Sequence, residues 1–450
     1  MAYDVVIVGS GFSAIAVTVN LLRLLPPSCS IAVVGDDPGF GRGTAYRTEF
    51  YLHRLNVPAG RMSLFPDIPD DFVEWLRRQG RTVSADDFAS RGDYGLYLRD
   101  TLAALLRRRE GRARLEFVRA KATGCVEQYK VGTVFQLDNT ADLIAGNVVL
   151  CLGIGNAQLP LPEDAIAAAA RPLIIRNPWT LGWLSKVRPR DDVCILGSGL
   201  TMIDQVLALR AHGHRGRVHV HSRRGLVPHA HRPHGGPVAP LLPEHSREIS
   251  ALLAALRRQA RDAADWRSVM DGLRPKTQEL WQQLTTEQRA RFLRHGLPWW
   301  NIHRHRISPD VSKRFNALIE DGSVVIHAGF LQAIEEAPEG AAIAYRRRGG
   351  DERASFDAAW IINCTGMERA GIAHSPLLKE MQQRGMIKAD KLGLGISVDN
   401  TSRALNAAAE TQPNIFAVGA LTAGQFWEIT AAPDIRVQAR NIAESIACGF

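Results

Sequence analysis

Short apolar runs alternate with longer amphipathic stretches at the start of the chain. The run from Tyr3 to Val8 is rich in β-branched residues, which is typical of a buried strand. A helix is predicted from about Ser13 to Leu25, where Pro26 and Pro27 end it, and a second strand from Ser30 to Val34. This order of strand, helix and strand predicts a βαβ unit with parallel strands that opens at residue 3.

The turn between the first strand and the helix has a sequence that suits a dinucleotide. In Gly9-x-Gly11-x-x-Ala14, the first glycine permits a tight turn, the second lets the backbone approach a pyrophosphate, and the alanine permits close helix packing. The helix N-terminus would then direct free N–H groups at the phosphates. Asp36, with Asp37 beside it, lies about 20 residues beyond the turn and is the candidate for binding the adenosine ribose. The alternative is a tight turn without a ligand.

A second unit of the same kind begins near the middle of the chain. An apolar strand from Val193 to Leu196 leads into Gly197-Ser198-Gly199, a helix to about Ala211, and a strand from Arg217 to His221. One such turn fits many dehydrogenases. Two turns in one chain predict an enzyme that holds FAD and a nicotinamide nucleotide together.

The residues after this second unit bear on the choice of nicotinamide nucleotide. Arg223 and Arg224 follow the strand, and no acid stands there to bind a ribose 2′-hydroxyl. Two guanidinium groups suit the 2′-phosphate of NADPH. The pattern therefore favours NADPH and leaves NADH open, with an exposed basic turn as the alternative.

The later pattern predicts a helical insertion and a return to the first domain. Amphipathic stretches dominate from about 240 to 330, whereas 357–363 reads as a strand that ends in Thr365-Gly366 and 414–418 as a strand that ends in Gly419. The predicted fold class is α/β, with two Rossmann-like dinucleotide-binding domains, the second inserted in the first. The FAD domain is predicted to span 1–165 and 356–450, and the NAD(P)H domain 166–355.

Composition and charge narrow the class of protein further. The 450 residues are 46% hydrophobic and 22% charged, which is ordinary globular usage, and the net charge of +9 favours anionic partners. The start of the chain has no basic segment typical of a signal peptide, and glycines and polar residues interrupt the apolar stretch 5–25, so neither secretion nor a membrane span is predicted. We expect a cytoplasmic protein; the oligomeric state stays open.

Several other kinds of site are weighed and set aside. Six cysteines stand far apart without a C-x-x-C pair, which argues against a redox dithiol or a zinc ribbon. His219 and His221 could share an ion on one strand face, but no carboxylate or thiolate accompanies them, so no metal site is predicted. The His-rich loop 229–234 is interpreted as a polar loop over a pocket. The arginine runs 107–109 and 346–348 lack interleaved aromatic residues, and no specific nucleic-acid partner is expected.

The order of these motifs resembles the two-dinucleotide-binding flavoprotein fold that flavin monooxygenases and disulfide reductases share. It includes the strand 148–152 that ends in Gly153. More narrowly, five segments resemble a bacterial group of FAD/NAD(P)-binding proteins that is similar to amine N-hydroxylases and includes FAD-dependent urate hydroxylases. These segments are Gly41-Arg-Gly-Thr-Ala-Tyr46, His53-Arg-Leu-Asn-Val-Pro-Ala-Gly-Arg-Met-Ser63, Gly199-Leu-Thr-Met-Ile-Asp204, Ser222-Arg-Arg-Gly-Leu-Val-Pro228 and Trp427-Glu-Ile-Thr-Ala431.

The resemblance implies a set of cofactor contacts. Gly9, Gly11 and Ala14 would line the FAD pyrophosphate, and Gly197 and Gly199 would face the nicotinamide nucleotide. The remaining implied contacts lie near the flavin or at strand ends: Asn56, Arg61, Met62, Ser63, Gly153, Thr365, Gly366 and Gly419. Ala420 departs from the aspartate usual after this last glycine, which leaves the ribityl contact unassigned.

The absence of a dithiol directs the functional prediction towards oxygen. Electrons from a reduced flavin need an acceptor, and O₂ is the natural one in a flavoprotein without paired cysteines. His53, Arg61 and Glu428 are the candidates for polarising, deprotonating or pairing with a small substrate. Their alternatives are a surface position for His53, a phosphate contact for Arg61 and a helix cap for Glu428.

The predicted function is an FAD-dependent, NAD(P)H-using monooxygenase that hydroxylates a small nitrogen-containing substrate, which we expect to be anionic or nitrogen-rich. The specific hypothesis, which rests on the resemblance, is urate hydroxylation to 5-hydroxyisourate in purine metabolism. The alternative is N-hydroxylation of an amine or amino acid. A non-enzymatic alternative is an FAD-binding regulatory or redox-sensing protein, which would need no site for a reductant.

Overall fold

Two β-sheets and a group of helices make up the part of the chain that the structure describes. This computed structural model describes residues 1–450 apart from 38–39, 109–110, 129–131, 154, 156–157, 234–235, 243–247, 367–371 and 374. The strands are β1 (Ala2–Val8), β2 (Ser30–Val34), β3 (Arg114–Val118), β4 (Ala122–Gln128), β5 (Gly132–Leu137), β6 (Asp142–Leu150), β7 (Ile174–Ile175), β8 (Val193–Leu196), β9 (Val218–Ser222), β10 (Val324–Ala337), β11 (Gly340–Arg347), β12 (Arg353–Ala358), β13 (Trp360–Asn363), β14 (Arg403–Leu405) and β15 (Thr411–Ala417).

The α-helices lie between the strands and at both ends of the sheets. They are α1 (Phe12–Leu24), α2 (Gly43–Tyr46), α3 (Asp71–Arg78), α4 (Arg91–Arg107), α5 (Leu200–Ala211), α6 (Ile249–Asp262), α7 (Trp266–Leu273), α8 (Thr277–Gln283), α9 (Thr286–Arg291), α10 (Leu297–Arg304), α11 (Pro309–Glu320), α12 (Pro376–Gln383) and α13 (Ala432–Ala447). A π-helical turn, Phe292–Gly296, joins α9 to α10.

The first sheet has the strand order β14-β15-β6-β1-β2-β3, with β4 and β5 attached as an antiparallel hairpin beside β6. The pairs from β15 to β3 are parallel, so their carboxyl ends meet at one edge. The first helix, α1, and the last, α13, pack together on one face in a continuous apolar core. Residues far apart in sequence therefore complete one doubly wound domain, as predicted.

The second sheet has the order β12-β11-β10-β9-β8-β13-β7. The pairs from β10 to β7 are parallel, and β10, β11 and β12 form an antiparallel meander. The fold class predicted from sequence is confirmed. The predicted return to the first domain at 356 is too early, because β13 pairs with β8, and the chain leaves the second sheet only after Asn363.

The helical insertion is shorter than predicted. Helices α6, α8 and α10 and the π-helical turn share a small apolar core that includes Leu252, Trp281 and Leu293. Leu394 and Trp427, which follow strands or turns of the first domain, complete that core. Helix α11 instead packs on the second sheet through Val311 and Phe315, so the insertion ends near Arg304.

A cluster of histidines lies between β9 and the meander, with His219 and His221 buried and His327 half-buried. His219 Nδ1 lies 2.9 Å from His327 Nε2, and the other ring nitrogen of His327 lies 3.1 Å from the Tyr345 hydroxyl. The Phe356 ring stacks on both of these imidazoles. Burial lowers the pKa of His221 to about 4 and lowers the pKa of His327 to about 4, with neighbouring histidines adding to the shift of the latter. These rings are therefore neutral at pH 7.

We expect acid to destabilise the protein through this cluster. Below about pH 6.5 the unfolded chain protonates these histidines while the folded protein does not, so the free energy of unfolding falls as the pH drops towards 4. For His221 alone, which is 4% exposed, the loss is on the order of 2 kcal/mol at pH 5. Urea unfolding of His221→Gln at pH 7 and pH 5 should show a smaller loss than the wild type.

The exposed His212→Gln variant is the matched control and should keep the pH dependence of the wild type. Equal losses between pH 7 and pH 5 for His221→Gln and His212→Gln would contradict the assignment.

Candidate functional site

The first glycine turn is built against the neighbouring strand. Gly9 has a φ of +128°, and a Cβ atom placed there would lie 2.5 Å from the carbonyl oxygen of Cys151, which follows β6. Its N–H donates to the Val34 carbonyl at 2.8 Å, which ties the turn to β2. Ala14 is fully buried where α1 crosses the sheet. Only glycine fits the first position, since both the backbone angle and the space exclude a side chain.

The second glycine turn repeats this construction. Gly197 has a φ of +101°, and a Cβ atom there would collide with the Cys364 carbonyl, which follows β13. Gly11 and Gly199, which precede α1 and α5, have nearly the same backbone angles: φ −93° and ψ −163° for the first, φ −87° and ψ −165° for the second. The two turns are thus one local structure used twice.

Both turns leave the following helix N-terminus open. A Cβ atom at Gly11 would meet only the Cα of Gly43, at 3.9 Å, and one at Gly199 would meet no atom within 4 Å. Neither α1 nor α5 has an acidic residue in its first turn or a side-chain cap. Free N–H groups beside open space at a helix N-terminus suit a pyrophosphate, so the residues present fit a dinucleotide at each turn.

The loop 41–43 forms part of the first of these sites, although sequence reasoning gave it no role. Gly41 donates its N–H to the Ser10 carbonyl at 2.8 Å, which holds the loop beside the glycine turn. Gly43 has a φ of +54° and faces Gly11. The two closely spaced glycines of Gly41-Arg42-Gly43 indicate a tight loop, but the sequence does not show what that loop packs against.

Asp36, the residue predicted to bind the adenosine ribose, forms an ion pair within the protein. Asp36 is exposed and lies 3.1 Å from the Lys121 ammonium, while Asp37 lies 3.3 Å from Arg47. Strand β2 ends at Val34, two residues earlier. Both carboxylates lie on the side of the sheet edge where a dinucleotide's adenosine would extend, and the ribose contact of Asp36 stays a prediction.

The segment 56–63 is held firmly between elements. Met62 and Ser63 are buried, and the Ser63 hydroxyl donates to the Ile68 carbonyl at 2.6 Å, so it serves its own turn. Arg436 of α13 donates to the Ser63 carbonyl at 2.6 Å. Arg61 is exposed, and within the described part of the chain its guanidinium has no hydrogen-bond or ion-pair partner.

Asn56 is positioned by the His-rich loop. His231 Nε2 lies 3.1 Å from the Asn56 carbonyl, and the Phe88 ring packs against the imidazole. Burial lowers the pKa of His231 to about 4, so the ring is neutral and donates from Nε2. The loop thus bridges the first domain and the helical insertion, where Arg267 of α7 donates from Nε to the Ala230 carbonyl at 2.9 Å. His234 lies outside the described residues.

Gly419 follows β15 and lies beside α1. It has a φ of +73°, and its N–H donates at 2.8 Å to the side-chain oxygen of Gln438 on α13. The amide nitrogen of Gln438 in turn donates to Ser402 and Thr422. A buried glutamine therefore fixes the loop that departs from the expected Gly-Asp pair, and nothing in the local sequence at Ala420 indicated it.

Glu428 faces the helical insertion. Its carboxylate accepts from Trp300 Nε1 at 2.6 Å, lies 2.7 Å from Arg304 Nε and 3.4 Å from His305 Nε2, and is 8% exposed. Its backbone φ is +66°, an uncommon value for a side chain of this size. The carboxylate is thus charge-compensated by α10 and the residue after it, rather than capping a helix.

His53 is fully buried at the junction of the two domains. Its ring nitrogens lie 2.7 Å from the Thr48 hydroxyl and 3.0 Å from the Asp204 carbonyl. Both nitrogens are occupied by protein groups, so the imidazole does not present a free nitrogen to a cleft. It is not the surface residue of the alternative interpretation either.

Three remaining predicted contacts follow the strands that flank the glycine turns. Gly153 comes after β6 and borders open space. Thr365 and Gly366 come after β13, so they lie beside the second turn and not in the first domain, where they were expected. The Thr365 hydroxyl donates to the Asn363 side chain at 2.7 Å.

A groove of about 350 Å³ opens beside the end of β9. It is lined by Arg223, Ala290, Leu293, Arg294 and Leu392, so the nucleotide domain, the insertion and the first domain all contribute. Arg223 is exposed and Arg224 half-buried, and neither has an ion-pair partner among the described residues. The sequence did not indicate that Arg294, in the π-helical turn, lines this groove, because Arg294 lies about 70 residues beyond Arg223 in the chain.

The described residues contain no group of three or more His, Cys, Asp or Glu side chains that could hold a metal ion. The described helices also include none that is long and apolar enough to cross a membrane.

Comparison with known proteins agrees with this geometry. Residues 6–155, the segment that holds the first turn, match a family model described as FAD-NAD(P)-binding. An uncharacterised protein of Mycobacterium tuberculosis is 22% identical, with 99% of this chain and 95% of the relative covered.

Two solved structures are similar over the whole chain. The ornithine N-hydroxylase of Kutzneria sp. 744, with reduced FAD, NADP⁺ and L-ornithine, has a TM-score of 0.67 at 15% identity and covers 99% of both chains. The L-lysine 6-monooxygenase of Pseudomonas syringae has a TM-score of 0.66 at 18% identity, again over 99% of both chains. This chain therefore shares the fold of these two enzymes.

The two glycine turns can be tested against each other. Gly11→Asp places a carboxylate at the N-terminus of α1, where it blocks and repels a pyrophosphate, so we expect FAD to be lost and NADP⁺ binding to be retained. Gly199→Asp makes the same change at α5 and should give the reverse. The measurements are the flavin absorbance of the purified protein and calorimetric titration with NADP⁺. FAD retained at wild-type stoichiometry in Gly11→Asp would refute this placement.

Proposed function

We propose that this protein is an FAD-dependent, NAD(P)H-using monooxygenase that hydroxylates the nitrogen of a small amine or amino acid. The observation that carries the proposal is the pair of open glycine turns, one in each parallel sheet, in a chain similar throughout to two amine N-hydroxylases. A protein that only sensed redox state through FAD would have no use for the second turn.

The cysteines favour oxygen over a disulfide as the electron acceptor. Cys29, Cys151, Cys194 and Cys364 are buried and form no disulfide, and Cys448 is exposed near the end of the chain. Cys125 is also buried, and its thiol donates to the Met386 sulfur at 3.5 Å. Burial raises the pKa of the Cys364 thiol well above its ordinary value, and the same cause acts on the Cys151 thiol. Buried protonated thiols do not exchange with a disulfide.

The substrate proposed first from sequence was urate. The comparisons give urate hydroxylation no support, whereas an ornithine N-hydroxylase and a lysine monooxygenase both cover the whole chain. N-hydroxylation of an amine or amino acid, the alternative that the sequence leaves open, therefore replaces it.

In this proposal the protein's residues would bind and orient the two cofactors and enclose the flavin. Gly9 and Gly11 would admit the FAD pyrophosphate to the N-terminus of α1, and Arg223 would meet the far end of the nicotinamide nucleotide. When bound, FAD would accept a hydride and supply the chemistry that activates O₂. Glu428 would fasten the insertion over the flavin through Trp300 and Arg304, which would keep water out.

Arg61 is the proposed contact for an anionic group of the substrate. It is exposed beside the buried Met62 and has no partner in the described part of the chain. A free guanidinium suits the carboxylate of an amino acid, which it can bind through two parallel hydrogen bonds. This would favour an amino acid over a simple diamine.

The reaction is tested by aerobic consumption of NADPH and NADH by the FAD-loaded protein. L-ornithine, L-lysine, cadaverine and urate are the probes, and hydroxylamine product and H₂O₂ are followed beside nucleotide loss. We expect one amine to stimulate consumption and to give hydroxylamine one for one. Stimulation by urate alone, with loss of urate, would contradict the proposal, and so would consumption that no amine changes and that yields only H₂O₂.

The nucleotide preference depends on the arginines at the end of β9. Arg223→Ala combined with Arg224→Ala should weaken NADPH binding by roughly 10- to 100-fold and leave NADH binding nearly unchanged, because only NADPH carries the 2′-phosphate. The dissociation constants measured by calorimetry decide this. Arg346→Ala with Arg347→Ala, on β11 away from the groove, is the matched control. An unchanged ratio of the two constants would show that the β9 arginines do not recognise the phosphate.

A further inference from the structure

A short segment of the first domain lies against the helix that follows the second glycine turn. Phe50 and Leu52 pack against the apolar core of the nucleotide domain. Arg54 lies 3.4 Å from Asp310 at the start of α11. The segment 48–54 is therefore a junction between the two domains, and His53 lies at its centre.

The hydrogen bonds of His53 fix the form of its ring. A carbonyl oxygen only accepts, so Nε2 must carry the proton that is donated to Asp204. Nδ1 then accepts from the Thr48 hydroxyl, which is itself an acceptor for the Phe50 N–H at 3.2 Å. Burial lowers the pKa of His53, which agrees with a neutral ring. One specific tautomer thus joins the first domain to the backbone of α5.

Arg91 makes a second, charged connection to the same residue of α5. Its Nη1 lies 2.8 Å from Asp204 Oδ2, with only 13% and 7% of the two side chains exposed. Arg91 also donates its backbone N–H to the His53 carbonyl at 2.9 Å and its Nε to the Arg54 carbonyl at 3.0 Å. The guanidinium and the imidazole are therefore one unit of the first domain, and both contact Asp204.

Asp204 lies close to the end of α5 where the second dinucleotide is proposed to bind. It lies five residues after Gly199, about 7.5 Å along the axis of α5 from the N-terminus where the second dinucleotide's pyrophosphate would lie. Fixing Asp204 relative to the first domain therefore fixes that N-terminus relative to the FAD turn. The distance between the two bound dinucleotides depends on this orientation.

We propose that Arg91, Asp204 and His53 form an interdomain clamp that holds the nucleotide domain in the orientation in which NAD(P)H gives its hydride to FAD and leaves as NAD(P)⁺. This inference rests on the proposed function. All three are positioning residues, since none touches a reacting atom. A displacement of about 1 Å between reacting groups lowers a rate by roughly 100-fold, so a modest loosening of the clamp has a measurable effect.

The first test compares flavin reduction in clamp variants and a control. Asp204→Asn and Arg91→Lys weaken the charged contact, and Glu163→Gln removes an exposed pair with Arg176 that has the same 2.8 Å separation. Stopped-flow reduction of the flavin by saturating NADPH without oxygen should slow by roughly 10- to 100-fold in the clamp variants. FAD content and the NADP⁺ dissociation constant should stay within about threefold of wild type, and the control should be unchanged.

His53 allows a rescue that a merely structural role would not show. His53→Ala removes the donor to the Asp204 carbonyl, whereas the side-chain amide of His53→Gln can supply an N–H in its place. We expect slow flavin reduction in the alanine variant and recovery of most of the rate in the glutamine variant. Both proteins are compared at equal FAD content, so that loss of folded protein is not mistaken for loss of rate.

Domain orientation is measured separately from chemistry. Cys448 is exposed, and Lys313→Cys adds a second exposed thiol on α11 of the nucleotide domain, so two spin labels report the distance between the domains. We expect one narrow distance distribution in the otherwise wild-type protein and a broader or shifted one when Asp204→Asn is added.

The outcomes separate the clamp from the function. An unchanged reduction rate and an unchanged distance distribution in both Asp204→Asn and Arg91→Lys would overturn the clamp. Flavin that neither NADPH nor NADH reduces in the wild type would overturn the proposed function, while the distance measurement would still decide the clamp. If Asp204→Asn does not fold, Arg91→Lys and the two His53 variants carry both measurements.

Discussion

A backbone carbonyl group that follows a neighbouring strand determines the form of each glycine turn. At Gly9 and again at Gly197 the chain passes so close to the residue after β6 or β13 that no Cβ atom fits. This close approach lets each strand turn at once into its helix, and the helix N-terminus then stays uncapped and faces open space. Two parallel strands and a residue without a side chain thus create a site for an anion from backbone groups alone.

The local parts of this arrangement could be predicted from sequence, because they depend on residues close together in the chain. The two βαβ units follow from apolar runs and glycines within about 30 residues each, with a proline stop in the first. The end of the second sheet could not be placed, since β13 reads as a strand in either domain and only its pairing with β8 assigns it. Thr365 and Gly366 were therefore predicted in the first domain, whereas the structure places them in the second.

The candidate side chains differ from expectation for a related reason. His53 and Glu428 carry groups suited to acid–base chemistry, but their partners lie on distant elements: Asp204 for the first, Trp300 and Arg304 for the second. A sequence shows which groups can ionise and not which opposite groups surround them. His53 connects the first domain to the nucleotide domain, and Glu428 connects the first domain to the helical insertion. By contrast, Arg61 and Arg223 are exposed, so their guanidinium groups are accessible to a ligand.

The packing of the last helix on the first has a consequence for synthesis. Helix α1 is synthesised some 400 residues before α13, the helix that covers it. The nucleotide domain, whose strands all lie between 174 and 363, can complete its own sheet before then. The first domain must keep an apolar face of α1 uncovered for some 400 residues of elongation, and during that time the nascent chain is exposed to aggregation and to chaperones.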